Sequence, residues 1–161
     1  MNPDIKNIGL AISFSPNSMA HLALATLLCK RWNCSLTLMY IGKASDQIQG
    51  KLNSIAAENI NDGIKTEIVI RQGDPAKSIL AVVKEKQVGL LLAGALERED
   101  FRGYYFGSVA RKLMRSAGCS TLILTSAFLK KQNVEKIFVT AEFNDTSELA
   151  LLFAAELARI Y

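Results

Sequence analysis

Residues 88–116 read VGLLLAGALEREDFRGYYFGSVARKLMRS, and this stretch decides the architecture. Val88 to Ala93 is a near-continuous apolar run, the pattern of a parallel strand covered on both faces. Gly94 closes the run, and a glycine-containing, mixed-charge loop follows from Gly94 to Phe106. Gly107 or Ser108 then opens a helix that reaches Ser116. Ser120 to Ser126 is the next apolar strand. Strand, loop, helix, strand is the grammar of a parallel βαβ unit.

The same grammar extends upstream. Asn7 to Ser13 is a strand, broken by Phe14-Ser15-Pro16-Asn17. Asn17 or Ser18 caps a helix that reaches Trp32, with Leu24, Leu27 and Leu28 on one face. Ser35 to Ile41 is the second strand. Asp46 to Asn61 is helical, since Ile48, Leu52, Ile55, Ala56 and Ile60 recur at three- and four-residue intervals. Asn61-Asp62-Gly63 ends it. Lys65 to Arg71 alternates as a strand. Asp74 then serves as N-cap and Pro75 as first residue of a helix that runs to Lys86.

Right-handed crossovers assemble these units into an α/β fold: an open five-stranded parallel sheet with helices on both faces, doubly wound and Rossmann-like. Ligands in such sheets lie beyond the carboxyl ends of the strands, where strand order reverses. That places the Ser13 to Asn17 turn and the Gly94 to Ser108 loop on the two sides of a crevice.

Beyond Ser126 the pattern restarts. At an offset of 129, Ile8 meets Ile137, Phe14 meets Phe143, Ser18 meets Ser147, Ala25 meets Ala154, Leu28 meets Leu157 and Trp32 meets Tyr161. Asp145 and Glu148 supply a cap for the second helix. The expected organisation is a domain over 1–126, a polar linker over 127–135, and an extra C-terminal β-α unit over 136–161. Such a unit cannot cover both of its faces, so it needs the first domain or another chain against it.

Composition narrows the function. Lys plus Arg number 19 against 15 Asp plus Glu, a net charge of +4, which is too mild and too scattered for a nucleic-acid partner. The run at Val88 to Leu96 is half of a membrane span. Met1-Asn2-Pro3-Asp4 lacks a basic segment followed by an apolar one, and no membrane association is expected. Cys29, Cys34 and Cys119 have no metal-ligand spacing and read as reduced thiols, so the expected location is cytoplasmic. His21 is the one histidine and is expected to be structural. With no P-loop and no nucleophile–base–acid set, the chain is expected not to be an enzyme.

The chemistry concentrates at Gly94, position 97, Gly107 and Ser108. Glycines allow an anion close to the backbone, and a helix start offers free amides and the positive end of its dipole. The spacing resembles the G-x2-G-x9-G-[S/T] loop of the universal stress protein family, and the likeness runs over residues 5 to 126. With the restart after Ser126, the resemblance is to a tandem-domain type whose second domain is incomplete in this chain. It implies a stress-response regulator binding ATP or another adenine nucleotide, with Mg²⁺ as companion. The implied pocket takes Ala11, Ile12, Ser13 and Phe14 from the first strand end, and Ile41 from the second. Gly94, Glu97, Gly107, Ser108 and Val109 complete it.

Two residues depart from the nucleotide-binding pattern. Glu97 stands where that pattern has glycine, and Ser13 where it has an aspartate. At roughly 5 Å and an effective dielectric of about 20, the Glu97 charge would repel each phosphate charge by about 3 kcal/mol, less where water screens it. Arg98, Arg102 or Mg²⁺ would offset part of this. These departures keep a second reading open: a non-nucleotide dimerisation or scaffold domain. It would form a homodimer through the edge strand Ser120 to Ser126. A looser likeness, Ser13-x-Ser15 with Thr37 and Tyr40, is to a cyclic di-AMP motif in the stress-protein domain of a potassium-sensing histidine kinase.

Overall fold

A computed structural model describes residues 4–95, 97–100, 103–125, 134–142 and 144–160, with the backbone alone over 97–100 and 103–106. Arg102, Phe143, Tyr161 and residues 126–133, which hold most of the expected linker, lie outside the described residues, as does the Arg98 side chain.

The chain runs β1 (Asn7–Ile12), α1 (Ser18–Trp32), β2 (Ser35–Ile41), α2 (Asp46–Asn61), β3 (Thr66–Arg71), α3 (Pro75–Glu85) and β4 (Leu90–Gly94). It continues with β5 (Glu97–Asp100), β6 (Gly103–Phe106), α4 (Ser108–Ser116), β7 (Ser120–Leu124) and α5 (Asp145–Ile160). Five strands form one sheet in the order β3-β2-β1-β4-β7, every neighbouring pair parallel. The order reverses between β1 and β4, where Ala11 lies opposite Ala93.

Alternation along the strands sorts two apolar layers. Ile8, Leu10 and Ile12 of β1 join Leu90 and Leu92 of β4 against Leu24, Ala25 and Leu28 of α1 and Leu52 of α2. Met39, Leu91 and Ala93 point the other way, onto Ile79 and Val82 of α3 and Leu113 of α4. Each of these side chains is screened from water, which is where a two-faced sheet gains its stability.

Local signals set the boundaries. The Ser45 hydroxyl accepts from the Ile48 amide at 3.2 Å, and the Asp74 carboxylate accepts from the Lys77 amide at 2.8 Å. Pro75 follows Asp74 as the first helical residue. Gly63, after α2, takes a φ of 81°, which residues with a Cβ resist.

Three expectations change. Strand β1 stops at Ile12, so Ser13 belongs to the turn. The segment expected as a loop contains an antiparallel hairpin, with Glu97 opposite Phe106 and Asp100 opposite Gly103. Residues 136–142, expected to hold the opening strand of the extra C-terminal unit, form no regular strand, and Phe138 is 90% exposed there. A strand needs a neighbour to receive its hydrogen bonds, and this segment has none among the described residues.

Helix α5 does have a neighbour. Phe153, Leu157 and Ile160 pack onto the α1 side of the core, and the Phe153 ring lies 5.6 Å from that of Trp32. Glu156 is 1% exposed, ion-paired with Arg159 and 4.0 Å from Arg31. Cys29 and Cys34 are buried free thiols, and Cys119 is half-buried. Among the described residues no helix is long and apolar enough to cross a membrane.

Candidate binding site at the strand switch

A cavity of about 370 Å³ opens where strand order reverses, at the carboxyl ends of β1, β2 and β4. One wall is polar: Ser13, Ser15 and Asn17 of the β1–α1 turn, with His21 from the first turns of α1. The facing wall is apolar: Ile41 at the end of β2, Ile79 of α3, and Val109 and Leu113 of α4. Ala11, Ile12, Ala93 and Gly94 form the floor, and Tyr40 lies at the side. An apolar slot with a few converging polar groups, of this size, is the usual form of a small-molecule pocket.

Of the residues expected here, Ala11, Ile12, Ser13, Ile41, Gly94 and Val109 line the cavity. Phe14 does not. Its backbone takes a φ of 54°, a strained value for an aromatic residue, and its half-buried ring packs against the α1-side core instead. There it lies 5.7 Å from the Tyr40 ring, with Lys51 Nζ 5.5 Å above it. Gly107 is half-buried at the α4 start. Ser108 is exposed and borders a separate, shallower hollow of about 250 Å³ with Arg111, Lys112 and Arg115. Glu97 is placed by its backbone alone. Its pairing with Phe106 sets it next to Gly107 in the chain fold, so the hairpin draws both ends of the spaced motif together.

Gly107 is the N-cap of α4, and as a glycine it has no side chain with which to cap the first turn. Amides at a helix start that lack a cap are the groups that can receive an external acceptor. Thr37 leaves the cyclic di-AMP pattern: it is 1% exposed and hydrogen-bonds Asn7 at 3.1 Å, away from the cavity. Ser13, Ser15 and Tyr40 of that pattern do line it.

Sequence reasoning missed His21. It is 7% exposed and its Nε2 has no hydrogen-bond partner among the described residues. Burial holds its pKa below the ordinary imidazole value. A Cβ placed on Gly94 would sit 2.7 Å from His21 Cε1 and 3.3 Å from Nδ1. The absent side chain of Gly94 is thus filled by the imidazole. The pointer in the sequence was position: the fourth residue of a helix that starts at the crevice.

Among the described residues, no three of His, Cys, Asp and Glu converge to hold a metal ion. A Mg²⁺ here would be held chiefly by phosphate oxygens and water, the common arrangement for that ion. A larger hollow of about 590 Å³ lies at the opposite end of the sheet, by the amino ends of β1, β2 and β3, between Asp4, Lys6, Trp32, Cys34 and Lys65. It is wide and charged, and no helix begins there, so it lacks the features of an anion pocket.

A doubly wound parallel sheet with a cavity where its strand order reverses places the chain in the α/β class of folds. A profile of the Universal stress protein family matches residues 42–125, and the chain belongs to that family. It is similar to the universal stress protein YxiE of Bacillus subtilis strain 168, at 23% identity over 141 residues, covering 71% of this chain and 95% of that protein. Solved structures show the same fold. One, a universal stress protein in complex with cAMP, shares 18% identity at a TM-score of 0.63, covering 75% of this chain and 97% of that one. Another, from Pseudomonas aeruginosa UCBPP-PA14, shares 18% identity at a TM-score of 0.75, covering 96% of this chain and 58% of that one.

Proposed function

We propose that this universal stress protein is a sensor that binds an adenine nucleotide, such as ATP, in the switch-point cavity and alters its protein contacts in response. The observation that carries the reading is the cavity itself: an apolar slot for a flat base, a polar wall, and uncapped amides at the α4 start beside it. The complex of a family relative with cAMP supports the choice of an adenine compound. Glu97 weighs against a triphosphate, since the hairpin holds it next to the same helix start. The reading is one of binding without turnover.

Isothermal titration with ATP, AMP and cAMP tests this. Saturable heat with one of them is the expected result, and no heat together with no thermal shift for all of them defeats it. Glu97→Gly should strengthen ATP binding by about tenfold, less than the full unscreened repulsion. An unchanged affinity would show that Glu97 faces away from the phosphates.

A second reading, a homodimerising scaffold, is favoured by β7. It pairs with β4 alone among the described residues, and Leu122 and Ile123 on it are only half-buried. Residues 136–160 are read as the opening strand and helix of a second copy of the domain. The 129-residue repeat offset and the helix over Asp145–Ile160 support that assignment.

A further inference from the structure

We propose that His21 is a ligand-contacting residue, whose imidazole hydrogen-bonds a sugar or phosphate oxygen of the molecule held in the switch-point cavity. The inference rests on the nucleotide reading above and names the group on the protein that distinguishes the polar half of the ligand.

Three observations converge on it. First, a nitrogen buried without a partner loses its bonds to water and gains nothing in return. His21 Nε2 is such an atom among the described residues. Second, the ring lies on the polar wall, beside Ser13, Ser15 and Asn17, while the opposite wall carries Ile41, Ile79, Val109 and Leu113. A nucleotide entering this slot puts its base against the aliphatic side and its sugar and phosphate against the side that holds His21. Third, Gly94 has no side chain to hold the ring in place, and His21 Cε1 occupies that space. Rotation about Cβ–Cγ exchanges Cε1 with Nε2 and so brings the free nitrogen against Gly94, which lines the cavity floor.

The electrical setting favours a neutral ring in the empty site. Among the described lining residues, β1, β4, α3 and α4 present no ionisable side chain, and β2 presents only Tyr40. Burial lowers the His21 pKa, and no acid among the described lining residues opposes it. The neutral ring donates from one nitrogen and accepts at the other, so it suits a ribose hydroxyl or a phosphate oxygen equally. An anion arriving beside the ring would raise its affinity for a proton.

The protein has one histidine, so its imidazole nitrogens give a single, self-assigned set of nuclear magnetic resonance signals. The experiment follows these ¹⁵N signals in wild type while AMP, then ATP, is added, with binding measured in parallel by calorimetry. The same titrations are made with His21→Leu and His21→Gln. Expected results are a saturable displacement of the imidazole signals tracking the calorimetric curve, and a loss of about tenfold in affinity for His21→Leu, smaller for His21→Gln. Heat of binding with the ring signals unmoved, or His21→Leu binding as tightly as wild type, overturns the proposal. Should neither variant fold, the wild-type ring signals decide it alone. If no nucleotide gives heat, the nucleotide reading fails, and inorganic phosphate at constant ionic strength becomes the probe. Ring signals that move with phosphate then sustain His21 as a contact for an oxyanion, and signals that stay fixed overturn it.

Discussion

At the scale of single residues, Gly94 and His21 share one space, and their substitution effects should be coupled. Gly94→Ala drives a methyl group into the imidazole, with only 2.7 Å between the new carbon and Cε1. Overpacking of this kind costs about 1–3 kcal/mol, and the lower figure applies if the ring swings into the cavity. Urea unfolding of Gly94→Ala, His21→Ala and the double variant should give a favourable coupling of about 1 kcal/mol in the double. Strict additivity would mean that the two groups do not meet. His21 also marks stability with pH. Its folded pKa lies below the ordinary value of 6.5, so the unfolded chain takes the proton first. The stabilisation is complete above about pH 6.5 and drains away as pH falls from there towards the folded value. Wild type should therefore lose stability more steeply than His21→Leu over that window, and parallel curves would contradict it. The glycine spacing around Gly94 was legible in the sequence, but its occupant was not. Neither helical period nor composition says which strand end faces the first turns of α1.

At the scale of elements, the regular parts announced themselves. Helices α1 and α2 and strand β2 have the limits that capping and apolar spacing predict, because those signals are local. The β5–β6 hairpin did not. Its sequence is charged on the outgoing arm, and the two arms pair only with each other, so neither needs the apolar alternation by which strands are recognised. The reverse error occurred at Ile137 to Val139, which has strand composition but no neighbour to pair with among the described residues. Pairing is a property of two segments, and one segment cannot reveal it. Helix α5 rests on the Trp32–Phe153 contact, and that gives it a test. Phe153→Ala should destabilise the fold by about 1 kcal/mol and shift Trp32 emission to longer wavelength as water reaches the indole. Trp32 is the one tryptophan, so the signal belongs to it alone. An unshifted spectrum would mean that α5 does not shield that side chain.

At the scale of the whole molecule, what remains outward matters more than what is inside. Strand β7 has one neighbour among the described residues, and Phe138, Leu149 and Leu151 are exposed apolar residues. Self-association through the sheet edge predicts a dimer in light scattering that Leu122→Lys converts to monomer, while Phe138→Ser leaves it intact. A monomer at high concentration in wild type would remove the scaffold reading and leave the sensor reading alone. The long helix α1 links these outer features to the cavity. It carries the sole imidazole near its beginning and the sole indole at its end, eleven residues and about 16 Å apart. Nature has in effect labelled both tips of one rod with different native reporters. A single titration watched at both tips measures how much of a push at one end arrives at the other, without any dye or tag being attached.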